Sequence, residues 1–218
     1  VKYWYDYQIK NQVVNFDWHA ATKPIANIKH DLESLITELK LRYSRGELDK
    51  EDGNFFSKEY VDTIECPGLD SEEIKKLFFD SEYKDVVDNS NIDRPIIPAD
   101  IRREIEELSY KKFNLRPGTV SMGIQLQHPG QFVLLHIDRP KFQDYKIPLT
   151  DLQQDPVSTK ILIFCDDWQY GQAFQMGKEF IKWKAGDVYT WNQRDVPHGS
   201  ANFGFDSRWI LRITGVPL

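Results

Sequence analysis

Residues 131–140 read QFVLLHIDRP, and residues 197–215 read PHGSANFGFDSRWILRITG. The first stretch ends an apolar run in His136-Ile137-Asp138. In an extended chain, residues i and i+2 project from the same face, so one strand end presents an imidazole and a carboxylate together. The second stretch supplies His198, sixty-two positions later, and Arg208, ten beyond that. Two histidines and one carboxylate are the ligand set of the facial triad that holds non-haem Fe(II) with open positions. One strand provides two ligands by alternation, and a distant strand or turn provides the third. An HxD pair by itself is a weak signal, more simply explained by a structural salt bridge. The weight rests on the whole constellation, in which an arginine follows in an apolar strand. A guanidinium partly buried there requires an anion, and its fork matches a carboxylate bidentately. An internal ion pair with an aspartate is the competing account of Arg208, and Arg212, on the same strand face, is the alternative residue.

Around these stretches the pattern is that of a β-rich unit. GTVSMGIQLQ alternates, with Val120, Met122, Ile124 and Leu126 on one face and Thr119, Ser121, Gly123, Gln125 and Gln127 on the other. His128-Pro129-Gly130 is a turn. Further strands are expected in STKILIFCDD, QAFQMG, KEFIKW, GDVYTWN and SRWILRITGV. Short strands divided by Gly, Pro and Asp turns suggest a sandwich or barrel.

The preceding half differs. Apolar residues at Leu32, Leu35, Ile36, Leu39 and Tyr43 have helical spacing, with Asn27 as a cap and Gly46 past the end. A second helix is expected from Asp70 or Ser71 over Ile74, Leu77 and Phe78, and a third from Pro98 over Ile101, Ile105 and Leu108. Residues 1–26 alternate aromatic and polar side chains in a strand-like way, and FFSKEYVDTIECPG suggests a short strand pair edge. SRGELDKEDGN is read as a solvated turn. With Gly53 as sixth residue of a calcium loop, position one would fall on Leu48, which cannot ligate calcium.

The chain has 218 residues, 40% hydrophobic and 13% aromatic, enough for a sizeable core. Its net charge of −6 argues against gripping nucleic acid through backbone charge. Cys66 and Cys165 form no CxxC pair, Cys165 reading as a buried small hydrophobe, so a reducing compartment is expected. No run of eighteen apolar residues and no signal-peptide core is seen, and the chain reads as soluble and cytoplasmic. His19, His30 and His128 have no partner at ligand spacing and are read as surface or capping residues.

HPGQFVLLHIDRP, GDVYTW, and PHGSAN followed by Arg208 resemble the 2-oxoglutarate/Fe(II)-dependent dioxygenases, in the flavour of the aspartyl/asparaginyl β-hydroxylase and proline hydroxylase branch. The likeness spans about residues 118–216. It implies an α+β fold: a double-stranded β-helix (jelly-roll, cupin-like) core over 116–218, buttressed by a mostly helical region over 1–115, the two forming one integrated domain. It implies Fe(II) on His136, Asp138 and His198, with 2-oxoglutarate anchored at Arg208. O₂ is the oxidant and ascorbate a supporting reductant. The implied reaction hydroxylates an amino acid, or a residue in a peptide or protein, with no membrane and no nucleic-acid partner. Aspartyl hydroxylases proper lack the carboxylate ligand, so Asp138 points to complete-triad members.

Among supporting residues, Gln125 or Gln127 would bond the other end of 2-oxoglutarate, Gln125 being preferred, with a purely structural role as the alternative. Asn202 either orients His198, bonds the co-substrate or serves as a turn residue. Lys160 reads as a surface lysine, with a carboxylate contact as the alternative. Trp191 is a core or pocket-wall residue, and secondarily a substrate contact. Arg139 and Tyr145, in the loop RPKFQDYKIP, are candidate substrate contacts from a lid. The rival readings are a non-catalytic cupin-like protein binding a small acid or metal, and a dioxygenase acting on a nucleobase.

Overall fold

The computed structural model describes residues 21–50, 92–136, 158–192 and 196–218, and of residues 134–136 the backbone only. Strand β1 (Ala26–Asn27) leads into helix α1 (Lys29–Ser44), and α2 (Ala99–Phe113) precedes β2 (Ser121–Gln127). Then follow β3 (Phe132–His136), β4 (Thr159–Phe164), β5 (Gln172–Met176), β6 (Glu179–Phe180), β7 (Asp187–Asn192), β8 (His198–Asn202) and β9 (Arg208–Gly215). Two antiparallel sheets result, one ordered β1-β7-β4-β9-β2 and the other β3-β8-β5-β6. From β2 to β9 the chain passes back and forth between them. That winding is a double-stranded β-helix, and with two helices on one sheet the fold is the expected α+β jelly roll.

Alternation along each strand decides what each face meets. Met122, Ile124 and Leu126 of β2, Ile161 and Ile163 of β4, and Trp209, Leu211 and Ile213 of β9 form one buried layer with Leu32, Ile36, Leu39, Ile101 and Ile105 of the helices. Burying each such side chain contributes roughly 1.5–3 kcal/mol. This fixes the helices on the outer face of the larger sheet. The opposite face looks between the sheets, where Leu162, Phe164, Tyr189, Trp191 and Ile210 meet Phe174, Met176 and Trp183. Phe164 stacks on Trp183 at 4.1 Å and meets Phe174 and Tyr189 edge-on.

Local signals explain the boundaries. The cap position of α1 falls on Ile28, with no side-chain cap bond, and the expected Asn27 stands one residue earlier, its side-chain oxygen accepting the Lys29 amide at 3.1 Å. Gly46, at φ 72°, turns the chain away after α1. Pro98 occupies the cap position of α2, and Asn114 ends it in the left-handed region. Leu108 is only partly buried, and Ser109 takes the fully buried place beside Ile105. Its hydroxyl bonds the Ile105 carbonyl at 2.6 Å, which makes a polar residue acceptable there.

Most of the strand-like 1–26 segment, Gly53, the FFSKEYVDTIECPG stretch with Cys66, and the helix expected from Asp70 or Ser71 lie outside the described residues. Cys165 is partly rather than fully buried, packed against the helix-side core. Among the described residues no helix is long and apolar enough to cross a membrane.

Candidate active site

Strands β3 and β8 pair antiparallel, and their register makes His136 and His198 direct cross-strand partners. The ladder is interrupted between Val133 and His136, where residues 134 and 135 stand against Gly199 alone. Such a bulge bends its strand and re-aims the residue that follows. On its other side β8 pairs with β5, placing Met176 opposite His198.

His198 is buried at 5% exposure. Its Nδ1 lies 3.0 Å from the Val196 carbonyl oxygen, which can only accept. Nδ1 therefore carries a proton, as in a metal-binding imidazole oriented by a backbone carbonyl. Trp191 meets the ring edge-on at 5.0 Å, and Phe174 lies nearly parallel to it at 6.2 Å. Asp138 lies outside the described residues, as does the side chain of His136. Among the described side chains no three metal-ligating groups come together. Arg139 and Tyr145 also lie outside the described residues.

A small cavity adjoins His198, lined by Gln125, Lys160 and Leu162 from the larger sheet and Val133, Phe174, Gly199 and Ser200 from the smaller. It encloses about 10 Å³, the space of a single water. The polar face of β2 thus does look into the barrel, and Gln125 is on it. Lys160 is the residue that the sequence placed wrongly. It is 3% exposed, on the inner face of the central strand β4, and is no surface lysine. The signal was its position: Lys160 alternates with Leu162 and Phe164, all inward, while Ile161 and Ile163 face the helices.

Arg208 is fully buried in the barrel interior, directly across from Gln127, and its guanidinium lies against the Phe174 ring that also faces His198. Its Nη1 donates to the Ala173 carbonyl at 3.0 Å, and its Nη2 donates to Gln127 Oε1. The guanidinium lies 5.2 Å from the Trp183 ring centroid and 5.9 Å from that of Phe174. Nε has no hydrogen-bond partner, and among the described residues no carboxylate pairs with the group. Burial alone draws its pKa down to about 9. Arg212 shares the inner face, over Gly123, and is only partly buried.

Asn202 belongs to the turn. Its Nδ2 donates to the carbonyls of Gln127 and Asp206, both at 2.9 Å, and its Oδ1 accepts the Gly204 amide at 3.1 Å. His128, read as a surface residue, is tied at Nδ1 to Ser207 and at Nε2 to Asp93.

No protein-family profile matches the chain, and no curated protein does. Among solved structures it is similar to a Pseudomonas putida prolyl-4-hydroxylase, at 16% identity and a TM-score of 0.45, covering 87% of this chain and 88% of that one. A predicted oxalate decarboxylase from Thermotoga maritima is 14% identical with a TM-score of 0.35, over 57% of this chain and 80% of the other. KdgF from Halomonas is 11% identical with a TM-score of 0.34, over 57% and 78%.

Proposed function

We propose that this chain is an Fe(II)- and 2-oxoglutarate-dependent oxygenase that hydroxylates an amino acid, free or within a peptide or protein. The observation that carries the reading is the β3–β8 register, with His136 opposite His198 and the His198 ring fixed through Val196. His136, Asp138 and His198 would hold the metal. Iron, when bound, supplies the redox chemistry that couples decarboxylation of the 2-oxo acid to substrate hydroxylation. The residues' own part is to orient and to exclude water. Val196 holds the orientation of the His198 ring, and Trp191 and Phe174 wall that ring from solvent. The second carboxylate of the co-substrate needs a cation, and the inner sheet face offers Lys160, Arg208 and Arg212, of which Arg208 stands at the spacing the sequence favoured.

The test is succinate formation from 2-oxoglutarate under air with iron and ascorbate, read together with metal content. His136→Ala and His198→Ala should each lose bound iron and all succinate formation. One observation favours a second reading, a cupin-like binder of a small acid or metal. The cavity beside His198 holds about one water, so a diacid must displace side chains to enter. Iron uptake without succinate formation would select that reading.

A further inference from the structure

Strand register gathers three side chains at a place the iron site does not use. Gln127 of β2 stands opposite Arg208 of β9, so the next residues outward, His128 and Ser207, meet across the end of the same ladder. Asp93 bridges the other edge of β2 at Leu126. His128 Nδ1 lies 2.8 Å from Ser207 Oγ, and its Nε2 lies 3.2 Å from Asp93 Oδ2. Asp93, with its pKa lowered to about 2, is a carboxylate at neutral pH, and a carboxylate only accepts. Nε2 therefore carries a proton. In the neutral ring Nδ1 then has the lone pair, and the Ser207 hydroxyl donates to it. A hydroxyl within reach of a base that a third group orients is an activated nucleophile, recognised by these roles rather than by which ring nitrogen serves. The His128 side chain is 35% exposed and Ser207 is half-buried, so a small reagent can reach both. Phe203 and Phe205, on the turn that ends in Ser207, are 72% and 97% exposed, and rings left in water at a loop tip offer an apolar contact. The amides of Phe205, Asp206 and Ser207 donate to no backbone carbonyl among the described residues, and such N–H groups are donors for an oxyanion.

We infer that Ser207 is a nucleophile that takes the acyl group of an ester with an apolar acyl chain, with His128 as its base and Asp93 as the positioning residue of that base. The bond from Ser207 Oγ to the acyl carbon forms as the ester C–O bond breaks. The proton passes from Oγ to His128 Nδ1, and from there to the departing oxygen. Phe203 and Phe205 receive the chain. Lys50 and Tyr43 bond the same Asp93 oxygen and keep the carboxylate in place behind the ring. The step needs neither iron nor 2-oxoglutarate.

The experiment incubates the full chain with p-nitrophenyl acetate and, separately, p-nitrophenyl hexanoate. It follows nitrophenol release and locates the acyl group by mass spectrometry of peptides. The acyl group should appear on Ser207, and Ser207→Ala should carry none. His128→Gln keeps a polar side chain in place and should slow acylation about 100-fold or more. Asp93→Asn turns an amide donor toward Nε2 and should move the ring proton to Nδ1, seen by nitrogen NMR of the imidazole, with acylation slowed as far as in His128→Gln. Loss of stability alone would not move that proton. The hexanoyl ester should react about tenfold faster than the acetyl ester, through partial burial of its added methylenes, and Phe203→Ser combined with Phe205→Ser should remove that preference. An acyl group on Lys50 or another amine in place of Ser207 overturns the inference. So does acylation of Ser207 as fast in His128→Gln or Asp93→Asn as in wild type, which would mark the three side chains as a structural staple. Equal rates for the two esters overturn the assignment of an apolar chain.

Discussion

Replacing Asp93 by Asn tests how the helical layer is fastened to the barrel. Asp93 bridges the edge of β2 through both backbone bonds with Leu126, at 3.0 and 2.8 Å. Its Oδ2 accepts from Tyr43 of α1 at 2.8 Å, from Lys50, and lies 3.2 Å from His128 Nε2. Burial pushes the carboxyl pKa up, but the bonds from Lys50, Tyr43 and His128 outweigh it and bring the group to about 2 from 3.8. A carboxylate whose folded pKa lies below its unfolded value stabilises the fold above the unfolded pKa. That contribution fades as pH falls through the folded one. At 1.36 kcal/mol per unit the shift is worth about 2 kcal/mol at neutral pH. Asp93→Asn should therefore cost about 2 kcal/mol at pH 7 in urea unfolding. By the same titration the gap to wild type should be about half as large at pH 3 and nearly closed at pH 2. A gap under about 0.5 kcal/mol at pH 7, the usual size for surface substitutions, would refute the reasoning, as would one unchanged between pH 5 and pH 3.

Two further substitutions probe how the site is framed. Gly186 adopts φ +83°, and a Cβ there would meet the Lys29 amide nitrogen at 2.4 Å, where α1 docks through the Ile28 amide on the Gly186 carbonyl. Gly186→Ala should cost about 3 kcal/mol or more by urea unfolding, backbone strain adding to a clash that only movement of α1 can relieve. An effect under about 1 kcal/mol would mean that the contact is not tight. Asn202→Ala strips three bonds from the β8–β9 turn and should cost about 2–3 kcal/mol. Affinity for 2-oxoglutarate should remain within about twofold if Asn202 only staples the turn, so a larger loss returns it to the binding site.

The alternation of β2 was legible because a strand between two different environments must separate its faces. Val120, Met122, Ile124 and Leu126 went to the helices, and Gln125 and Gln127 to the interior. The helix starting near Lys29 and the one after Pro98 were legible for a similar reason, with one apolar stripe and a glycine or proline at the boundary. Lys160 was not. A lone lysine at a strand start is ordinarily solvated, and only β9 and β7 closing on either side of β4 bury it. Asn202 was ambiguous because an asparagine four residues past a histidine fits a ligand partner and a turn staple alike. The carbonyls of Gln127 and Asp206 that engage its amide come from parts of the chain whose approach is a tertiary fact.

That difference bears on Arg208 as well. Its spacing from His198 suggests an anion site, and the same spacing carries it past the turn to a place opposite Gln127, against the Phe174 ring. A guanidinium there meets neutral acceptors and aromatic faces before it meets any ligand. It holds the strand end while Nε stays unsatisfied, a cost that the ladder around it must offset. Of the cations on this inner sheet face, Lys160 lines the cavity beside His198. Burial of a charge and access to a charge are separate properties, and the interval between two residues in the sequence reports neither.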